Sequence, residues 1–139
     1  MDDFDEKLEK AKNKVNARIL ETQDNLNNVE LLSMSLPKLA IANISLGRYA
    51  AYATYLARNA ERAYKRKRED KKLNYMFQKW TAAKSESQAF VDVEDDFQTY
   101  SEAQRVADEV KDLTYRTDTF IDQARSRLSL ISKEINRSL

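Results

Sequence analysis

Apolar residues recur at intervals of three and four over most of this chain. Phe4, Leu8, Ala11, Val15, Ile19, Thr22, Leu26 and Val29 keep that spacing. They form the stripe of an amphipathic helix with an a/d-type seam, which predicts an N-terminal helix over 1–31. The seam is one-sided, so the helix needs a partner; Asn25, Asn27 and Asn28 weaken it near its end. Ser35 reads as an N-cap and Pro37 as a first-turn residue, opening a second helix over 36–80. Tyr49, Tyr52, Ala53, Leu56, Ala60 and Ala63 continue the stripe, which stops at 65–72, a run without a single apolar residue. That run can be helical but cannot be core. Apolar character returns at Leu73, Tyr75, Met76, Phe77 and Trp80, and Thr81 is a candidate N-cap where the chain can reverse. Residues 81–100 read as an acidic connecting segment, partly helical, with room for a second reversal between Val91 and Ser101. The last helix is predicted over 101–136 on the seam Ala107, Val110, Leu113, Thr117, Ile121, Ala124, Leu128, Ile131 and Ile135.

Punctuation sharpens this picture. The 139 residues include one glycine, Gly47, and one proline, Pro37. A sheet protein needs turn residues every few positions, so the expected fold is all-α: one domain, a long-helix bundle or coiled coil of three to four helices. Seams on the first and last helices imply self-association. The expected contacts of a homo-oligomer are Leu8, Val15, Ile19 and Leu26 with Leu113, Ile121, Leu128, Ile131 and Ile135.

Charge changes the picture more than composition does. Net charge is only +1, but it is blocked along the chain. Residues 1–31 hold eight acids and five bases, 58–79 hold nine bases and three acids, and 86–112 hold nine acids and two bases. Cysteine and histidine are both absent, which removes disulfides, thiol nucleophiles, zinc sites of the Cys/His type and the commonest general acid–base residue. No glycine-rich phosphate loop or nucleophilic triad is present. An enzyme, a cofactor and a metal are therefore not expected. No apolar run approaches the ~20 residues that span a bilayer, and the acidic start lacks a signal-peptide core. The expectation is a cytoplasmic protein without a membrane partner.

The basic run carries the sharpest chemistry. Arg58, Lys65, Lys72 and Lys79 are seven residues apart and share a helix face; Arg62 joins it, and Arg66, Lys67, Arg68 and Lys71 lie around it. Tyr64, Tyr75 and Trp80 are interleaved. Cations that neutralise phosphates and rings that stack on bases make a sequence-tolerant single-strand site. The bland alternative is a solvated face, or ion pairs with the acidic block of a neighbouring protomer. The acids Asp92, Glu94, Asp95 and Asp96 lack the spacing of a calcium loop. Asp118 and Asp122 form a carboxylate pair one turn apart, with Arg125 placed for an i,i+3 ion pair. Thr117 inside the last seam either sets helix register or bonds its own backbone.

The order of parts resembles a known family. An Ala/aromatic helix, 52–64, leads into the Lys/Arg run. An acidic stretch beginning Thr81-Ala-Ala-Lys-Ser-Glu follows, then a terminal helix containing Tyr115-Arg-Thr-Asp-Thr-Phe-Ile-Asp-Gln-Ala-Arg-Ser-Arg-Leu-Ser. This is similar, over about 49–139, to the small helical phage proteins grouped around UvsY, the recombination mediators of T-even phages. The resemblance implies a homo-oligomer in the host cytoplasm. It implies binding of single-stranded DNA through the Lys/Arg run and the loading of a recombinase onto strands coated by single-strand-binding protein. One departure is clear: 74–77 keep the family's aromatics but lack its glycine turn. The rival expectation is a structural or adaptor coiled coil (a virion, scaffolding or host-inhibitor protein) whose charge blocks pair between protomers.

Overall fold

The computed structural model describes residues 3–138 and contains, among them, four helices and no strand. They are α1 (Asp3–Asp24), α2 (Val29–Phe77), α3 (Ala82–Asp92) and α4 (Glu94–Ser138). The expected all-α fold is present. The chain divides into two compact units, one of Met1–Ala50 with Glu109–Leu139 and one of Ala51–Asp108.

In the first unit α1 opens with Asp3, Asp5 and Glu6 in its first turn, the charge sign its N-terminal dipole favours. Leu8, Val15 and Thr22, seven residues apart, are its buried positions. The helix ends seven residues earlier than the pattern predicts. Asn25, Asn27 and Asn28 form a turn there, and Asn28 Oδ1 accepts the Leu31 N–H at 3.0 Å, capping α2. Ser35 is therefore no cap. It is buried, and its hydroxyl donates to the Leu31 carbonyl at 2.9 Å. Pro37 lies inside α2. Its missing donor falls on the exposed side of the helix, where water can serve the carbonyl left over.

Three helices meet in this unit. The Phe4 and Tyr49 rings lie 6.1 Å apart, Lys12 bridges Glu109 at 3.3 Å, and Arg127 donates to Asn27 at 2.7 Å. Thus α1 runs antiparallel to α2 and parallel to α4. Leu32, Leu36, Leu39, Leu46, Val110, Ile121 and Ala124 complete the core. Gly47 is half-buried, and a Cβ there would meet the Thr114 methyl at an ordinary 3.9 Å. The core also holds Asn43, which donates to the Thr114 carbonyl at 3.2 Å and to Asp118 at 2.7 Å.

These contacts correct the expected oligomer seams. Leu8, Val15 and Ile121 are buried within one chain, while Ile19, Leu26, Leu113, Leu128 and Ile131 are half-covered by it. Of the nine residues only Ile135 is exposed. A one-sided seam states that something covers it, and here the covering helix belongs to the same chain. Thr117 likewise bonds its own helix, its hydroxyl donating to the Leu113 carbonyl at 2.7 Å.

The second unit packs the rest of α2 against α3 and the start of α4. Its buried residues are mostly small, Ala53, Ala57, Ser85, Ala89 and Ala107, with Val93 and Tyr64. The Tyr64 ring lies 5.3 Å from Phe97 and 6.1 Å from Tyr100. The expected reversal between Val91 and Ser101 is only a one-residue break at Val93, after which α4 begins with Glu94, Asp95 and Asp96 in its first turn.

The reversal after α2 is made without glycine. Lys79 takes φ of 65°; Trp80 N–H bonds to the Tyr75 carbonyl at 3.2 Å and Lys79 N–H to the Met76 carbonyl at 3.0 Å. That pair of bonds defines a Schellman motif. The apolar contact that accompanies it is Tyr75 stacked on Trp80, with centroids 4.5 Å apart. Thr81 then caps α3 as expected, accepting the Lys84 N–H at 3.2 Å.

By length and composition alone, α2 is long and apolar enough to cross a membrane, an exception to the sequence expectation. No uninterrupted apolar run underlies it, since Glu30, Lys38 and Asn43 divide the apolar part.

Candidate nucleic-acid interface

All of the predicted cations except Lys79 lie on the last six turns of α2. At 3.6 residues per turn they surround the helix rather than share one face. Arg58, Arg62 and Arg66, spaced by four, lie opposite the buried side marked by Ala53, Ala57 and Tyr64, and all three are exposed. Successive members are about 6 Å apart along the axis. No ion pair among the described residues engages them. Lys65 and Lys72 flank this row on one side, and Lys65 is held by Glu61 at 2.5 Å.

The other cations look elsewhere. Lys67 bridges Asp96 at 2.9 Å, a contact between the basic and acidic blocks of one chain. Arg68 donates to the Tyr64 hydroxyl at 3.1 Å, its guanidinium 5.3 Å from that ring's centre. Lys71 is exposed on the same side as these two and adds a minor favourable field at Asp92. Lys79 lies past the end of α2 in the left-handed turn, so it does not extend the heptad face from Lys72.

The predicted stacking rings are corrected in the same way. Tyr64 is only 4% exposed, so it is core and cannot receive a base. Tyr75 and Trp80 use their facing sides on each other, and the Lys84 ammonium sits 4.3 Å from the Trp80 ring centre. The Tyr75 hydroxyl donates to Asp92, which also accepts from Gln88 at 2.9 Å. The bonds from Tyr75 and Gln88 hold the Asp92 carboxyl below its usual range, and the bond to Asp92 raises the Tyr75 phenol above its own.

Two other rings occupy the outward face. Tyr52 and Tyr55 are 47% and 57% exposed, with stacked rings 6.1 Å apart. Tyr55 is seven residues before Arg62, on the same stripe. Phe77, the last residue of α2, is 85% exposed. The apolar stripe expected along α2 counts Tyr52 with Ala53 and Ala60, on the covered side. Extending the alanine stripe 53, 57, 60 around the helix would have placed both rings outside.

Elsewhere the polar groups are structural. Asp118 accepts from Asn43, and Asp122 pairs with Arg125 at 3.9 Å. An open hollow of about 510 Å³ beside Arg68, Glu86, Ser87 and Phe90 contains no nucleophile–base pair. Comparison with protein-family models, curated proteins and solved structures yields no match.

Proposed function

We propose that the chain binds single-stranded nucleic acid along the outward face of the C-terminal half of α2. The observation that supports this best is the exposed row Arg58, Arg62 and Arg66, without an ion pair among the described residues, with Tyr52 and Tyr55 at one end. Arginines stepping about 6 Å along the helix axis can reach consecutive phosphates, and exposed rings offer surfaces for bases without sequence preference. The UvsY resemblance supplies a biological setting: a homo-oligomeric recombination mediator that loads a recombinase onto strands coated by single-strand-binding protein.

The test is a fluorescence anisotropy titration with labelled single- and double-stranded DNA at several salt concentrations. Single-strand affinity is expected to fall steeply with salt. Arg58→Ala, Arg62→Ala and Arg66→Ala together should lower the log–log salt slope by about 2, from ~0.7 per phosphate contact. Tyr52→Ala with Tyr55→Ala should weaken binding at all salts. An unchanged slope in the triple variant rejects the site.

The rival reading is a structural or adaptor coiled coil whose charge blocks pair between protomers; the Lys67–Asp96 bridge, made within one chain, already satisfies part of those blocks and counts against it. On that reading, high salt dissolves the assembly and no DNA binds.

A further inference from the structure

The N-terminal half of α2 has a second outward stripe, left exposed among the described residues. Met34, Ile41 and Ile44 are 56%, 67% and 62% exposed. They lie opposite Leu32, Leu36, Leu39 and Leu46, which are buried. Pro37 is exposed on the same line. The spacing 34, 37, 41, 44 alternates three and four, the period of a coiled-coil seam. Three large side chains in so regular a row on one helix are not scattered surface apolar residues.

The ends of the stripe indicate what covers it. Glu30 continues it one turn before Met34, and Arg48 continues it one turn after Ile44; both are exposed, and neither side chain is in an ion pair among the described residues. The row therefore reads acid, four apolar residues, base, over about 27 Å. We propose that this stripe is a two-fold contact between two copies of the chain, with their α2 helices antiparallel. Antiparallel pairing centred near Leu39 sets Glu30 of each copy beside Arg48 of the other. It also sets Met34 against Ile44 and Pro37 against Ile41. Every a position then meets a d position, as an antiparallel seam requires. Parallel pairing would instead stack glutamate on glutamate and arginine on arginine. A contact of one residue with a different residue, returned by symmetry, is isologous and closes at two copies.

This inference shares with the proposed function only the homo-oligomer, and its test contains no nucleic acid, so the two fail separately. The contact is short beside the ~800 Å² per partner of a standard interface, so a dissociation constant in the roughly micromolar range is expected. Sedimentation equilibrium of the full chain up to about 1 mM, with helicity followed by circular dichroism, should give a monomer–dimer equilibrium. Ile41→Glu, at an exposed site, should weaken the dimer at least about 100-fold and leave helicity unchanged. Glu30→Arg and Arg48→Glu should each weaken it about tenfold, and both in one chain should restore it. A wild-type monomer at all concentrations overturns the proposal. So does an oligomer indifferent to Ile41→Glu, or a double charge swap that fails to restore it. Vesicle binding lost with Ile41→Glu in a monomeric protein would assign the stripe to a lipid surface and overturn it equally.

Discussion

The two compact units share α2 and α4 yet are packed on different terms. The first fills its interior with branched aliphatic side chains: Leu8, Val15, Leu32, Leu36, Leu39, Leu46, Val110 and Ile121. The second has Ala53, Ala57, Ala89 and Ala107 at its buried positions, and only Tyr64 supplies a large ring. One unit is held by volume and the other by close approach around an aromatic cluster. They should therefore respond to opposite changes in side-chain size.

The largest expected effect is in the first unit. Leu39 is fully buried, and Leu39→Ala should cost about 3 kcal/mol through lost transfer energy and a residual cavity. Ala57 is 1% exposed in the second unit. There the damaging change is enlargement, and Ala57→Leu should cost about 2 kcal/mol by overpacking. Urea denaturation checks both; equal tolerance of Ala57→Leu and of a surface substitution would erase the contrast.

A smaller effect, of opposite sign, is expected at the turn that closes the second unit. Lys79 holds φ of 65°, a conformation that disfavours any residue with a Cβ by about 1 kcal/mol. Lys79→Gly should therefore raise stability, by somewhat less than 1 kcal/mol once the extra freedom of the unfolded chain is counted. A lowered urea midpoint would mean that the lysine side chain contributes more than its backbone costs.

The smallest effect is the pH response of the exposed Tyr75–Asp92 bond in that unit. Asp92 is held below its ordinary pKa by the Tyr75 hydroxyl and Gln88. Its contribution is thus present above its unfolded value and is lost as pH falls below about 4. Tyr75 is raised by its bond to Asp92, so its contribution is full below its unfolded value and is lost as pH rises above about 10. The urea midpoint of the wild-type protein should exceed that of Tyr75→Phe between about pH 5 and 9, and the gap should narrow on both sides. A gap constant with pH would show that the bond carries no stability.

Much of the fold was legible from local rules. The α1 stripe, the Thr81 cap and the seam of α4 all follow from spacing and capping chemistry. Competition between local signals was not legible. Asn28 and Ser35 are both good caps, and Asn28 prevails because a helix begun there buries Leu32 and Ser35 together. The break at Val93 carries no turn residue. The candidate interface was legible as a cluster of cations but not as a face. Lys67 and Arg68 turn to Asp96 and Tyr64, contacts 29 residues apart and four residues apart respectively.

The sequence by itself determined that this protein is helical, where its charge is concentrated and which segment of α2 must stay wet. Those properties depend on residues within a turn or two of one another. Only the tertiary structure decided which partner covers each seam. Val15 and Ile121 would satisfy an intermolecular seam as well as the intramolecular one that buries them, because apolar burial has no memory of chain identity. Covering those seams from within leaves the outward side of α2 uncovered, with Met34, Ile41 and Ile44 in one half and the arginine row in the other.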